Sequence, residues 1–157
     1  MHKTKHDLAE KTRADVIPIL NARLADSIDL MHQAKQAHWS VKGPTFIALH
    51  KLFDDVFHAA VEYTDLLAER VVELGGTAEG TIHVAAKRST LKEYPLHIVA
   101  ERDHVEALSS ALAAFGSEIR QAIDQADRLG DKGTEDIFTE ISRGIDKYLW
   151  FVEAHLA

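Results

Sequence analysis

Four long stretches of 3.6-residue hydrophobic periodicity, broken mainly where glycine or proline falls, constrain this chain more than any other feature. The 157 residues include only three prolines and eight glycines, and most of them lie between the periodic stretches, as helix punctuation does. A first helix is expected over about Asp7 to Trp39, ending before Gly43-Pro44, with Pro18 either kinking it or moving its start later. A second runs from Pro44, a favourable first-turn residue, to Leu74 before Gly75-Gly76. Residues 77–94 form the longest connection, with TIHVAAKR as a short helix inside it. A third helix is expected from Pro95 to about Arg128, and a fourth from about Thr134 to His155 after LGDKG.

The chain therefore reads as all-α. Four long helices with one long crossover between the second and third make a four-helix bundle of the ferritin-like kind, with the short extra helix in that crossover. With 46% apolar residues the chain is expected to form a single domain over residues 1–157, carrying a short N-terminal tail at 1–8. The absence of cysteine removes disulfides, thiolate metal ligands and Cys nucleophiles together, and suits a reducing compartment. The opening MHKTKHDLAEKTRADV has no apolar signal-peptide core, and no uncharged run approaches the roughly 20 residues that span a bilayer. The expectation is a cytoplasmic protein with no membrane partner. A net charge of −7 argues against domain-wide attraction to nucleic acid, so any DNA contact would need a local basic arm.

The second helix carries two stripes. Phe46, Leu49, Phe53, Val56, Ala60, Leu67, Val71 and Leu74 fall on one side and form an ordinary core face. With Asp54 as zero, His50 lies at about −40°, Asp65 at about +20° and Glu69 at about +60°, so four potential ligands share an arc beside that face. Phe57, Val61, Ala68 and Val72 interleave with them, which a fully solvated face would not normally show.

His50/Asp54 and Asp65/Glu69 are both i, i+4 pairs, a spacing at which two side chains can meet one ion. Asp54 and Asp65, however, stand about 16 Å apart along an unbroken helix, too far to share a metal whose ligand bonds are about 2 Å. If all four residues serve one site, the second pair must come from another chain. Two copies of the helix packed antiparallel across a two-fold axis would satisfy that condition and would give two equivalent sites. Solvated helices also carry such pairs without any metal, so neither pair alone is decisive. Nitrogen and carboxylate ligation without thiolate suits iron, with zinc or manganese as competitors.

The stretch KQAHWSVKGPTFIALHKLFDD…YTDLLAERVVELGG resembles the Dps miniferritins, DNA-binding proteins from starved cells. His38, His50, Asp54, Asp65 and Glu69 stand at that family's ligand spacing, and STLKEYPL and DKYLWFVEAHL look like their Dps counterparts. The resemblance implies a homo-dodecamer with ferroxidase centres at two-fold dimer interfaces, where Fe(II) is oxidised by hydrogen peroxide or dioxygen and stored as Fe(III) mineral, protecting DNA. It implies His38, His50 and Asp54 from one chain with Asp65 and Glu69 from the other, Asp54 and Glu69 holding or bridging iron and Asp65 a weaker partner. Trp39 is then either an electron donor or a shield beside the centre, and an aromatic that simply packs between helices is the bland alternative.

Some signals compete. Glu101 and His104 form one Glu-x-x-His unit of the kind that single-bundle di-iron sites use in pairs, but no second unit follows, so the pair is expected to be structural. His58 extends the ladder below Asp54 and is expected as an interface polar residue, and His2 and His6 lie in a tail too loose for a tight site. Lys3, Lys5, Lys11 and Arg13 are the only candidate DNA-binding arm, interleaved with Asp7, Glu10 and Asp15. A DNA-binding or structural assembly with a vestigial or differently metallated site therefore stays open as the alternative. Asp127, Asp131, Glu135 and Asp136 line either an iron entry pore or an ordinary helix-capping loop.

Overall fold

The computed structural model describes all of residues 1–157. It contains five helices and no strand: α1 Glu10–Ser40, α2 Phe46–Glu73, α3 Ile82–Arg88, α4 Glu101–Leu129 and α5 Lys132–Glu153. Short connections force α1 and α2, and likewise α4 and α5, to fold back as antiparallel hairpins. The two hairpins meet through α1 against α4 and α2 against α5, and α3 lies against α1. The shared interior includes Leu20, Leu24, Phe53, Leu67, Phe115 and Phe138, all fully buried. No helix is long and apolar enough to cross a membrane.

Pro18 sits inside α1 and neither starts nor ends it. A proline there removes one backbone hydrogen bond, which the surrounding packing of α1 against three other helices outweighs. On α2 the expected core stripe is buried from Leu49 through Val71, joined by Tyr63. Phe46 departs from it: it is 40% exposed and lies against the His50 ring, four residues on.

The third long helix begins at Glu101, not Pro95. Residues 95–100 form turns and irregular chain, because Leu91 and Tyr94 are drawn into the interior and Tyr94 Oη bonds His104 Nδ1 at 2.7 Å. The helix starts where Glu101 and Asp103 place negative charge in its first turn. The crossover is tied to α1 by Thr90, whose N–H and hydroxyl donate to Asp26 Oδ1, and by Gln33, which donates to the Lys92 carbonyl.

Residues before Glu10 lie outside the helix, but they are not a loose arm. The His2 N–H donates to the Gly75 carbonyl at 2.8 Å. Arg13 is buried, and its guanidinium donates to the carbonyls of Leu74 and Leu8, satisfying the C-terminal end of α2.

The last helix starts at Lys132, two residues before the expected Thr134, because Asp131 caps it. Asp131 accepts from the Thr134 N–H at 3.0 Å and hydroxyl at 2.6 Å, and pairs with Arg70 at 2.9 Å. Burial raises the Asp131 pKa, but the Thr134 and Arg70 contacts outweigh it and hold the carboxyl below its usual range. A carboxyl depressed in the folded state stabilises fully above its unfolded pKa of about 3.9 and loses that effect as pH falls through the lower folded value. Asp131→Ala is expected to destabilise the chain by about 2–4 kcal/mol at neutral pH, through the lost cap and the broken buried pair with Arg70. Urea unfolding of wild type and variant checks this, and the difference should shrink below about pH 4.

Candidate metal centre

The five-residue connection Val41–Thr45 turns the chain sharply enough to set the last turn of α1 beside the first turns of α2. Gly43 makes the turn possible with φ at +152°, and an added Cβ there would collide with Glu101 Oε2. Glu101 reaches across from α4 to accept from the Thr45 N–H at 3.2 Å, placing a negative charge at the N-terminal end of α2.

This turn brings His38 and His50 face to face, with ring centroids 3.7 Å apart and planes 22° from parallel. Each ring bonds the other residue's backbone. His38 Nδ1 lies 2.7 Å from the His50 carbonyl oxygen, and His50 Nδ1 lies 2.8 Å from the His38 carbonyl oxygen. A carbonyl can only accept, so each Nδ1 carries the hydrogen and the neutral ring keeps its Nε2 lone pair free. The His38 carbonyl belongs to the last turn of α1, where carbonyls lack helical partners, so His50 fills a need that α1 creates. Fixing the tautomer through Nδ1 is how a protein orients an imidazole for Nε2 ligation.

Asp54 lies one turn beyond His50. Its Oδ1 is 3.9 Å from His38 Nδ1 and 2.5 Å from Lys35 Nζ, and its Oδ2 is 3.6 Å from His58 Nε2. The Lys35 hydrogen bond is the largest influence on the Asp54 carboxyl, followed by opposing desolvation and then the charges of Lys35, His38 and His58; the net effect holds it below its usual range. With the two side chains 23% and 33% exposed, such a pair contributes no more than about 1 kcal/mol to folding.

Asp65 and Glu69 are exposed further along α2. Within one chain, no three histidine, aspartate or glutamate side chains converge in a way that could hold a metal ion. Phe57, Val61 and Ala68 on the same arc are half-buried and Val72 is 47% exposed, so the second stripe is left partly uncovered. Trp39 is 66% exposed beside His38.

The remaining sequence candidates separate clearly. Glu101 braces the α1–α2 turn, while His104 is buried with Tyr94, its Nε2 unpartnered and its pKa lowered by burial; the Glu-x-x-His spacing thus serves packing. Of the acidic loop, Asp131 is interior, Asp127 and Glu135 both pair with Lys132, and Asp136 is exposed. The capping-loop reading therefore holds for Asp131. Lys35 was not among the sequence candidates, although its place three residues before His38 puts both on one face of α1.

Residues 17–157 match the Ferritin family, described as a ferritin-like domain. The chain is a ferritin-like protein. It is 48% identical over 155 residues to the DNA protection during starvation protein of Agrobacterium fabrum, covering 99% of this chain and 96% of that one. A protein of the same name from Brevibacillus brevis is 31% identical, covering 90% and 94%. Among solved structures, Mycobacterium smegmatis Dps superposes with a TM-score of 0.93 at 29% identity, covering 99% and 94%. Dps from Microbacterium arborescens in the high iron form gives 0.89 at 32%, covering 99% of each chain. The chain belongs to the Dps family of miniferritins.

The reciprocal bonds make a specific expectation. Long-range nitrogen–proton NMR of selectively labelled histidine should show both His38 and His50 protonated at Nδ1 in their neutral forms. Protonation at Nε2 alone on either ring would contradict the geometry.

Proposed function

We propose that the chain oxidises Fe(II) at ferroxidase centres shared by two subunits, and stores the Fe(III) product as mineral inside a homo-dodecamer, protecting DNA from oxidative damage. The observation that carries this is the His38–His50 pair, two rings whose Nδ1 atoms bond backbone carbonyls and so leave each Nε2 lone pair available, with Asp54 Oδ1 3.9 Å from His38 Nδ1. Family membership supports the reading, as does the recorded high iron form of the Microbacterium arborescens relative. The relatives named for DNA protection during starvation support the protective role.

His38, His50 and Asp54 of one subunit would face Asp65 and Glu69 of the partner subunit across an antiparallel α2 pair. The partly uncovered Phe57, Val61, Ala68 and Val72 would form the apolar middle of that contact. Asp54 and Glu69 are the carboxylates that hold or bridge iron, and Asp65 is a weaker partner. Trp39, exposed beside His38, serves as electron donor or shield. The centre fits iron as substrate through its nitrogen and oxygen donors, and zinc competes for the same set.

Pairing the ions matters chemically. Two Fe(II) each give one electron, and one hydrogen peroxide takes both with two protons, yielding two Fe(III) and two waters. No single-electron cleavage of peroxide occurs, so no hydroxyl radical is released near DNA. Dioxygen is the alternative oxidant.

The DNA-compacting alternative has weaker support. The tail is pinned at His2, Arg13 is buried, and Lys11 pairs with Asp15, which leaves Lys3 and Lys5 as the exposed arm cations on a chain of net charge −7. A cytoplasmic, nucleoid-adjacent location follows from the protective role.

His50→Ala and Glu69→Ala are each expected to slow peroxide-driven Fe(II) oxidation by roughly 100-fold while the assembly persists. Stopped-flow absorbance with light-scattering mass checks both. Full oxidation and iron loading in the assembled variants would contradict the assignment.

A further inference from the structure

We infer that Lys35 is a resident cation at the Asp54 carboxylate, occupying the place a divalent ion must take and thereby setting how tightly the centre binds metal. The inference rests on the metal-centre reading above and adds a residue that the ligand pattern does not include.

Two helices place the ammonium. Lys35 and His38 stand three apart on α1, and Asp54 and Phe57 stand three apart on α2, so each pair shares a face. Lys35 Nζ lies 2.5 Å from Asp54 Oδ1 and 4.5 Å from the centroid of the Phe57 ring. A carboxylate and an aromatic face thus hold the same charge from two sides. The Lys35 side chain is only 23% exposed, so this is not a solvated lysine that happens to brush an acid.

The oxygen it occupies matters. Oδ1 is the Asp54 oxygen that faces the His38 ring, 3.9 Å from the Nδ1 that bonds the His50 carbonyl, so the ammonium sits on the carboxylate edge beside the histidine. Oδ2 is turned toward His58 Nε2 at 3.6 Å. The ammonium therefore holds Oδ1, and an ion that binds this oxygen must displace it.

An ion bonded to Oδ1 would sit about 2 Å from it, within close reach of the ammonium where Lys35 now rests. Like charges in a partly buried site repel strongly, so the ion and the ammonium exclude one another. Lysine can yield, because its four-carbon stem swings a compact charge into solvent. Metal uptake is then an exchange of one cation for another. Removing the resident charge should leave a bare carboxylate that takes the ion more readily.

The test uses Zn(II) alone, which undergoes no redox change, in competition with a chromogenic chelator on the assembled protein. Lys35→Met keeps an unbranched stem over Phe57 and removes the charge; it is expected to tighten Zn(II) binding by about 10-fold or more. Lys35→Arg keeps the charge and can grip both oxygens of Asp54, so it should bind no tighter than wild type. Should Lys35→Met fail to assemble, neutral Lys35→Gln carries the same expectation. Binding by the neutral variants equal to or weaker than wild type, or an equal shift in the neutral and arginine variants, overturns the inference. His50→Ala separates the two readings. If it abolishes Zn(II) binding while the neutral variants bind as wild type does, only the role of Lys35 falls; if it binds as wild type does, the metal centre falls and Lys35 with it.

Discussion

The stiffness of α2 governs everything proposed for this protein. A helix of 28 residues with an uninterrupted hydrogen-bond ladder cannot fold its two ends together, so residues eleven apart stay about 16 Å apart. His50 and Asp54 lie near one end and Asp65 and Glu69 beyond the middle, on one arc of the same rod. The rod is held against the bundle by Leu49, Phe53, Leu67 and Val71, which are buried on its other side. Packing uses one face of this element, and the face that carries the proposed ligands is left partly uncovered.

At the open end of that rod the histidines are prepared locally. The turn through Gly43, braced by Glu101 from α4, sets each imidazole against the other's backbone carbonyl. Each ring spends its Nδ1–H on a backbone carbonyl, which leaves the Nε2 lone pair available. Lys35 gives Asp54 a counter-charge beside the histidine pair. The acidic loop at the opposite connection follows a different logic: there Arg70, Lys132 and Thr134 absorb the carboxylates into capping and pairing.

Much of this was legible in the residues. Glycine and proline punctuation located four long helices and the short one in the crossover, since both the breaks and the 3.6-residue pattern act locally. The distance argument on α2 also needed only helix geometry; the chain stacks His38 on His50 and sets Asp54 Oδ1 3.9 Å from His38 Nδ1, although no three such side chains converge on one point within it. What the sequence hid depends on contacts distant along the chain. Residues 95–100 stayed out of α4 because Tyr94 turns inward to His104, a pairing no local signal announces. The sequence left Asp131 open between a pore and a capping loop, because the Arg70 that holds it comes from another helix. Glu101 reads as structural from the sequence, but its partner, the Thr45 N–H at the N-terminal end of α2, was hidden.

The central claim, that each centre draws its halves from two subunits, is tested most directly by co-expressing His50→Ala and Glu69→Ala chains. Neither variant alone retains an intact centre, but a mixed two-fold pair keeps one of its two, joining His50 of one chain to Glu69 of the other. Random mixing should therefore restore about a quarter of wild-type peroxide-driven Fe(II) oxidation. Mixed assemblies no more active than either variant alone would contradict the account.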